Sequence, residues 1–396
     1  MSYSHAPWPS YDEETVEAVA DVLRSGRVNY WTGSNGREFE QEFARFTGLD
    51  HAVFVANGTV ALELALRALE LPHGSEVITT PRTFIASSSA IVAAGLRPVF
   101  VDVDPDSGNI TPTNVEAAIN PRTSAVLLVH LAGWPADLPA MRTICDAHDL
   151  ALIEDCSQAH GAMLGGAHVG TYGDVSAWSF CQDKIVTTGG EGGMVGTSSR
   201  SLWESMWSYK DHGKSWDAVY NRSHPPGFRW LHESFGTNWR ATEMQAAIGR
   251  KQYALLPQWH QERTRNAAAL AASLSNIPGL RVPLPPVGAE HAYYRLNAYV
   301  DSDSLQEGWT RDRILQEVDR RWGVPAFSGS CSEIYREQAF VLADVAPPEP
   351  LPVASRMSLE SLAFLVHPGL TDADLAAVAD AFADVMKEAV GAPDAV

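Results

Sequence analysis

Ser179-Phe180-Cys181-Gln182-Asp183-Lys184 runs through Ile185-Val186 into Thr187-Thr188-Gly189-Gly190-Glu191-Gly192-Gly193, so one lysine stands between an apolar, strand-like segment and a glycine-rich turn. A lysine so placed can form a Schiff base. Upstream, Leu152-Ile153-Glu154-Asp155 is a short apolar run ending in carboxylates. A buried parallel strand delivers an acid in this way to the carboxyl edge of a sheet, where open α/β folds bind their ligands. An aspartate and a lysine at that edge suit pyridoxal phosphate: the acid keeps the pyridine nitrogen protonated and the amine holds the aldehyde.

Outward from this pair the chain alternates between strand and helix patterns. Strands are predicted over 52–56, 76–79, 98–103, 125–130, 151–154, 174–180 and 194–197, the last beside its predecessor, with helices over 59–69 and 84–94. Such alternation implies a mostly parallel sheet covered by helices on both faces. Before it, Ser10-Tyr11-Asp12-Glu13 fits a capping box ahead of Val16, Val19, Ala20 and Leu23 at helical spacing, which Phe39, Phe43 and Phe46 repeat. After it, helical spacing returns at 242–256. Pro257 and an Ala-rich helix to about Leu274 follow, then a strand over 294–300 and helices over 311–322 and 372–390. The expected organisation is a large cofactor-binding domain over 1–256 and a smaller α+β domain over 257–396, with 391–396 fraying.

Composition bounds the function. A chain of 396 residues with 45% apolar content can bury a large core and a smaller one. The formal charge of −19 leaves any phosphate-bearing ligand to a local positive cluster and argues against nucleic acid. Met1 to Pro9 offers neither a basic n-region nor an apolar core, and no apolar run approaches membrane-spanning length, so the expectation is a cytoplasmic protein. The four cysteines, Cys145, Cys156, Cys181 and Cys331, form no C-x-x-C pair, and the histidines show no metal-binding spacing, so no metal is expected.

Asn57-Gly58-Thr59 joins a strand pattern to a helix pattern, where outward-facing N–H groups make an anion site; with Ser179 and the lysine it forms a phosphate cup. Phe84 follows Thr83 at another strand end, where it reads either as core or as a platform for a flat ring. Gln158, just past Asp155, can bond a phenolic oxygen or close a turn. The stretch 211–239, rich in His, Pro, Gly and Trp, reads as a functional loop. Lys214, Arg222 and Arg229 within it, with Lys210 and Arg240 at its margins, are the best local source of charge for an anionic substrate. Dinucleotide and nucleotide-hydrolase motifs fail: Val195 replaces the third glycine after Gly190 and Gly192, and Ser208 replaces the first glycine of a loop ending His212-Gly213-Lys214-Ser215.

Taken together, these residues resemble the DegT/StrS family of sugar aminotransferases, in the fold type I class of pyridoxal-phosphate enzymes. The motifs fall in that family's order: Glu76-Val77-Ile78-Thr79 with Thr83-Phe84, Pro98-Val99-Phe100-Val101-Asp102, His130-Leu131-Ala132-Gly133, Glu154 through Gly161, Gly170-Thr171-Tyr172-Gly173-Asp174, Gly190-Glu191-Gly192-Gly193 and Gly236-Thr237-Asn238-Trp239-Arg240. The likeness runs from about Gly36 to Leu256 and more loosely beyond. It implies a homodimer with active sites shared across the interface. Lys184 would hold the cofactor and move protons, Asp155 would pair with the pyridinium, Gln158 would bond the ring hydroxyl and Phe84 would stack on the ring. Gly58, Thr59 and Ser179 would bind the phosphate with Asn238 of the partner subunit, while Lys210, Lys214, Arg229 and Arg240 would serve the substrate. The implied reaction moves an amino group from glutamate or glutamine to a keto group of a nucleotide-linked deoxysugar. Lysine at 184 decides against the family's dehydratases, which carry a histidine there. Ile185 stands where most members have asparagine, which resembles the branch acting on cyclitols and aminohydroxybenzoate precursors, the first alternative. A non-catalytic pyridoxal-phosphate-binding regulator is the second.

Overall fold

The computed structural model describes residues 7–227 and 229–391. Seven strands form the central sheet, in the spatial order His51–Val55, Gly193–Thr197, Val175–Ser179, Ala151–Asp155, Thr123–Val129, Glu76–Thr79 and Arg97–Phe100. All run parallel except Gly193–Thr197, which is antiparallel to both neighbours. The connection after Ser179 turns back instead of crossing a face of the sheet, and it is closed by Phe180 N–H donating to the Gly192 carbonyl at 2.8 Å. Strand side chains divide between two cores as a period of two requires. On Thr123–Val129, Val126 and Leu128 join the core containing Phe39, Phe43 and Trp178; Ala125, Leu127 and Val129 join the one containing Val53, Val77 and Trp207.

The first helix is Glu13–Ser25, and its cap lies two residues later than the expected Ser10. Asp12 is the cap, because its Oδ1 accepts both the N–H and the hydroxyl of Thr15 at 2.8 and 2.6 Å. Thr15 and Val22 face inward, whereas Val16 and Leu23 are exposed. The helix expected from Phe84 spans Ala86–Ala93, which leaves Phe84 ahead of it.

Pro257 does not break its helix. Glu243–Leu274 is one helix that contains Pro257. A proline interior to a helix costs about 3 kcal/mol, but this helix is buried on both sides of it. Tyr253, Leu256 and Trp259 belong to the sheet's core; Ala267, Leu270, Ala271 and Leu274 belong to a second core around Phe364 and Phe382. A division at 256/257 thus falls inside a continuous helix, and the cores hand over between Trp259 and Ala267. The smaller lobe carries an antiparallel sheet of Leu280–Arg281, Leu296–Val300 and Ser361–Phe364, packed with helices Arg311–Trp322 and Asp372–Val390. Ser361–Phe364 is too short to stand out in the sequence. The stretch 211–239 is not loop throughout: Trp216–Tyr220 is a helical turn capped by Ser215, its tryptophan against Trp203 and Trp207. Residues 392–396, expected to fray, lie outside the described residues. Among the described residues no helix is long and apolar enough to cross a membrane.

A candidate active site at the carboxyl edge of the sheet

The parallel strands end on one cavity of about 1360 Å³. Gly58, Thr59, Phe84, Asp155, Gln158, Ser179 and Lys184 all line it, although they come from four separate stretches of chain. Lys184 sits on the connection after Val175–Ser179. Its neighbours Ile185 and Val186 are fully buried in the core, which gives Ile185 a packing role. Its carbonyl accepts the indole N–H of Trp8 at 2.9 Å, so the start of the described chain straps the lysine loop.

Asp155 ends its strand with 4% exposure, and no cation pairs with it among the described residues. Its Oδ2 accepts from the Ser87 hydroxyl at 2.8 Å and its Oδ1 from the Ser157 N–H at 3.0 Å. Ser87 donates its only hydrogen to Asp155, so Thr83 is the donor in the 2.9 Å contact between the two hydroxyls. A buried carboxylate held by neutral donors alone is an incomplete arrangement. A pyridinium N–H would complete it. Gln158 is oriented too: its Oε1 accepts the Ala132 N–H at 2.7 Å, which turns the amide's two donors to the cavity side.

Helix Gly58–Ala68 begins at the end of the first strand, with the Asn57 side chain accepting from Val60 N–H and the first N–H groups left without intrahelical acceptors. Glycine is required at 58: a Cβ there would stand 2.6 Å from Ser179 Cβ and 2.9 Å from its Oγ. Two anion-binding elements therefore touch. Phe84, 68% exposed, stands at the cavity as an aromatic without a covering ring among the described residues. A buried unpaired acid, an oriented amide, a phosphate-sized cradle and an open aromatic face together fit pyridoxal phosphate.

The family model of DegT/DnrJ/EryC1/StrS aminotransferases matches residues 9–383. The chain belongs to that family. It is an aminotransferase-family enzyme, and the family is pyridoxal-phosphate-dependent. It is 49% identical to the aminotransferase of Psychrobacter cryohalolentis, whose solved structure matches with a TM-score of 0.95 over 98% of this chain and 100% of that one. It is 35% identical over 376 residues to the dTDP-3-amino-3,4,6-trideoxy-alpha-D-glucose transaminase of Streptomyces venezuelae, covering 94% of this chain and 93% of that protein. It is 30% identical to a 3-amino-5-hydroxybenzoic acid synthase, with a TM-score of 0.87 over 98% of this chain and 100% of that one.

The cations that the sequence offered for the aminotransferase's substrate lie elsewhere in this subunit. Lys210, fully buried, pairs with Glu40 at 3.1 Å; burial drives its ammonium below the usual range against the pull of Glu40. Lys214 and Arg240 both bond Asp211. Arg229 and Asn238 are exposed, and none of these five lines the cavity.

Tyr294 and Arg295, on the same wall, carry no local signal in the sequence. Tyr294 donates its hydroxyl to Asp183, the residue before the lysine, and Lys184 Nζ lies 4.8 Å from the Tyr294 ring centroid. Burial raises the Asp183 carboxyl, yet Lys184, Tyr294 and Arg295 together hold it below its ordinary value. His160, stacked on Phe180 with centroids 5.2 Å apart, donates Nε2–H to the Ser179 carbonyl at 2.9 Å. Burial pushes it down to about 4, so it braces the strand end as a neutral ring. His130, Glu154 and Cys156 approach one another as metal ligands would, but the hydrogen bonds assign them otherwise. His130 Nδ1 accepts Ala136 N–H, so its Nε2–H donates to Glu154, which also takes the N–H groups of Gly170, Tyr172 and Gly173. Neither ring nitrogen keeps a lone pair for a metal.

Proposed function

We propose that this enzyme holds pyridoxal phosphate in the cavity and transfers an amino group from glutamate or glutamine to a keto group of a nucleotide-linked sugar. The observation that carries the reading is the buried, cation-free Asp155 carboxylate on the same cavity wall as Lys184. Bound pyridoxal phosphate supplies an aldehyde that carries the amino group and a ring that withdraws electrons from the reacting carbon. Lys184 would hold the aldehyde and move the proton at the substrate carbon. Asp155 would keep the ring nitrogen protonated, Gln158 would donate to the ring oxygen, and Phe84 would cover the ring and exclude water. Gly58, Thr59 and Ser179 hold the phosphate with Asn238 contributed by a second copy of the chain, in a homodimer whose 211–239 segment reaches the neighbouring cavity. Arg229, exposed on that segment, is the residue of the sequence-derived set best placed to meet a substrate phosphate there.

A cavity of about 1360 Å³ exceeds the roughly 300–1,000 Å³ of ordinary ligand sites, which leaves room for a large acceptor beside the cofactor. The relative from Streptomyces venezuelae supports a nucleotide-linked sugar. A keto cyclitol or aminohydroxybenzoate precursor is the second reading, favoured by Ile185 and the likeness to the 3-amino-5-hydroxybenzoic acid synthase. The test reconstitutes the protein with pyridoxamine phosphate and adds keto sugar nucleotides, scyllo-inosose and keto cyclohexane acids in turn, following the cofactor's visible band. A return of the band with sugar nucleotides alone is the expected result; a return only with the carbocycles replaces it by the second reading, and a return with none refutes both.

A further inference from the structure

Four carboxylates, Asp155, Asp183, Glu191 and Glu337, stand on the cavity wall against two cations, Lys184 and Arg295. An amino-acid donor brings at least one more carboxylate into this negative surface. With Lys184 committed to the aldehyde, Arg295 is the remaining cation of the described wall. Its guanidinium lies 4.3 Å from the Tyr294 ring centroid, and its Nη1 donates to the Tyr294 carbonyl at 3.0 Å. The contact with Asp183 is open: Nη2 to Oδ2 is 3.8 Å, well beyond the roughly 2.7–2.9 Å of a formed charge-assisted bond. Asp183 is instead engaged by the Tyr294 hydroxyl. The ring contact and the carbonyl bond thus hold the arginine against Tyr294 while its edge toward Asp183 stays unclosed on the cavity wall. The contrast is with Lys210, Lys214 and Arg240, each closed on a carboxylate of its own subunit.

We propose that Arg295 is the specificity-determining residue for the amino donor, receiving its α-carboxylate on the guanidinium edge that Asp183 leaves open. Lys184 Nζ and the Arg295 guanidinium carbon lie 4.8 and 4.3 Å from one ring centroid, and so within about 9 Å of each other. An α-amino acid fits within that limit with one polar contact at each end, its amino group toward the lysine and its α-carboxylate toward the arginine. Asp183 offsets the charge of Arg295 between turnovers and, being negative, disfavours a permanently bound anion, which assists release of the keto acid. The inference rests on the proposed transamination and names the donor contact within it.

The experiment uses the cofactor-loaded enzyme and two variants, Arg295→Gln and Arg295→Lys, the second keeping the charge but not the fork should the first fold poorly. The first readout is binding of glutarate, a dicarboxylate without an amino group, followed by perturbation of the cofactor band and by thermal protection. The second is the KM for glutamate and glutamine against that for glutamic acid α-amide, with the acceptor half-reaction measured separately from pyridoxamine-loaded protein. Arg295→Gln is expected to weaken glutarate and raise the donor KM roughly 10- to 100-fold, to abolish the preference for a free α-carboxylate and to leave the acceptor half-reaction unchanged, with Arg295→Lys intermediate. Unchanged glutarate affinity and donor KM would overturn the assignment, as would a loss confined to the acceptor half-reaction or shared equally by it. If wild-type protein transfers no amino group from any donor, the functional proposal fails, and the glutarate measurement still decides whether Arg295 receives a carboxylate.

Discussion

Gly58→Ala probes the point where the two halves of the phosphate cradle meet. The added Cβ would stand 2.6 Å from Ser179 Cβ, 2.9 Å from Oγ and 3.1 Å from Cα, against a normal carbon–carbon contact of about 3.5–4.0 Å. Relieving a misfit near 1 Å between a helix start and a strand end, both buried, costs about 1–3 kcal/mol. The same displacement moves the Gly58 and Thr59 N–H groups off the phosphate position, and one lost charge-assisted bond lowers affinity roughly 10- to 100-fold. Urea unfolding of cofactor-free protein measures the first effect; titration of pyridoxal phosphate by tryptophan fluorescence measures the second. Adding Ser179→Gly removes two of the three close atoms, so the double variant should recover most of the stability but not the affinity, because the Ser179 hydroxyl is also gone. Wild-type stability in cofactor-free Gly58→Ala, or no recovery in the double variant, would refute the close-approach argument.

Asp155→Asn keeps an oxygen to accept Ser157 N–H and turns an NH2 toward Ser87, whose hydroxyl must reverse to accept it, while the charge is removed; cofactor retention with at least about a 100-fold loss of turnover is expected, and near-normal rates would show another partner for the ring nitrogen. Burial depresses His160 to about 4 and His291 to about 3. In the unfolded chain these rings take a proton below about pH 6.5 and in the folded protein they do not, so stability is present above 6.5 and is lost as pH falls towards 4, on the order of 3 kcal/mol for His160. His160→Gln should flatten the slope of unfolding free energy in that window; an unaltered slope contradicts the assignment. Asn238→Ala should weaken cofactor retention, and mixing it with Lys184→Ala should restore activity through heterodimers holding one intact site. Heterodimers that form without regained activity would place Asn238 in its own subunit's site.

The sheet was legible in the sequence because each strand is a compact apolar run bounded by turn residues, and its mostly parallel sense followed from alternation. Asp155 and Ser179 had a local cue in closing such runs, and Gly58 and Lys184 in standing in the turns that follow them. What stayed hidden depends on distance along the chain. Ser87, Tyr294 and Arg295 sit in unremarkable local sequence and become wall residues only when helix Ala86–Ala93 and the start of strand Leu296–Val300 are brought to the sheet edge. Asp183 had a local cue, its place beside the lysine. Pro257 misled because helix propensity is a local quantity, whereas the two cores that bury Glu243–Leu274 are not.

The positive cluster at 210–240 is engaged largely within its own chain and does not line that chain's cavity. Asp211, buried, takes Lys214, Arg240 and the Trp31 indole N–H, the last at 2.7 Å, and its backbone forms a bridge with Asn238. Burial raises the Asp211 carboxyl, but the bonds from Lys214, Arg240 and Trp31 outweigh it and keep it ionised. Lys210 and Glu40 fasten the base of the same segment, where Glu40 also accepts Tyr30 OH and Phe54 N–H. A polar network closed in this way has few donors left for a ligand, but it fixes the backbone on which Asn238 stands exposed. The cations near Asn238 therefore act one step removed: they make rigid the segment that the proposed dimer inserts into its neighbour. Neutralising Asp211 should accordingly loosen cofactor retention in the partner's site before it alters chemistry at Lys184.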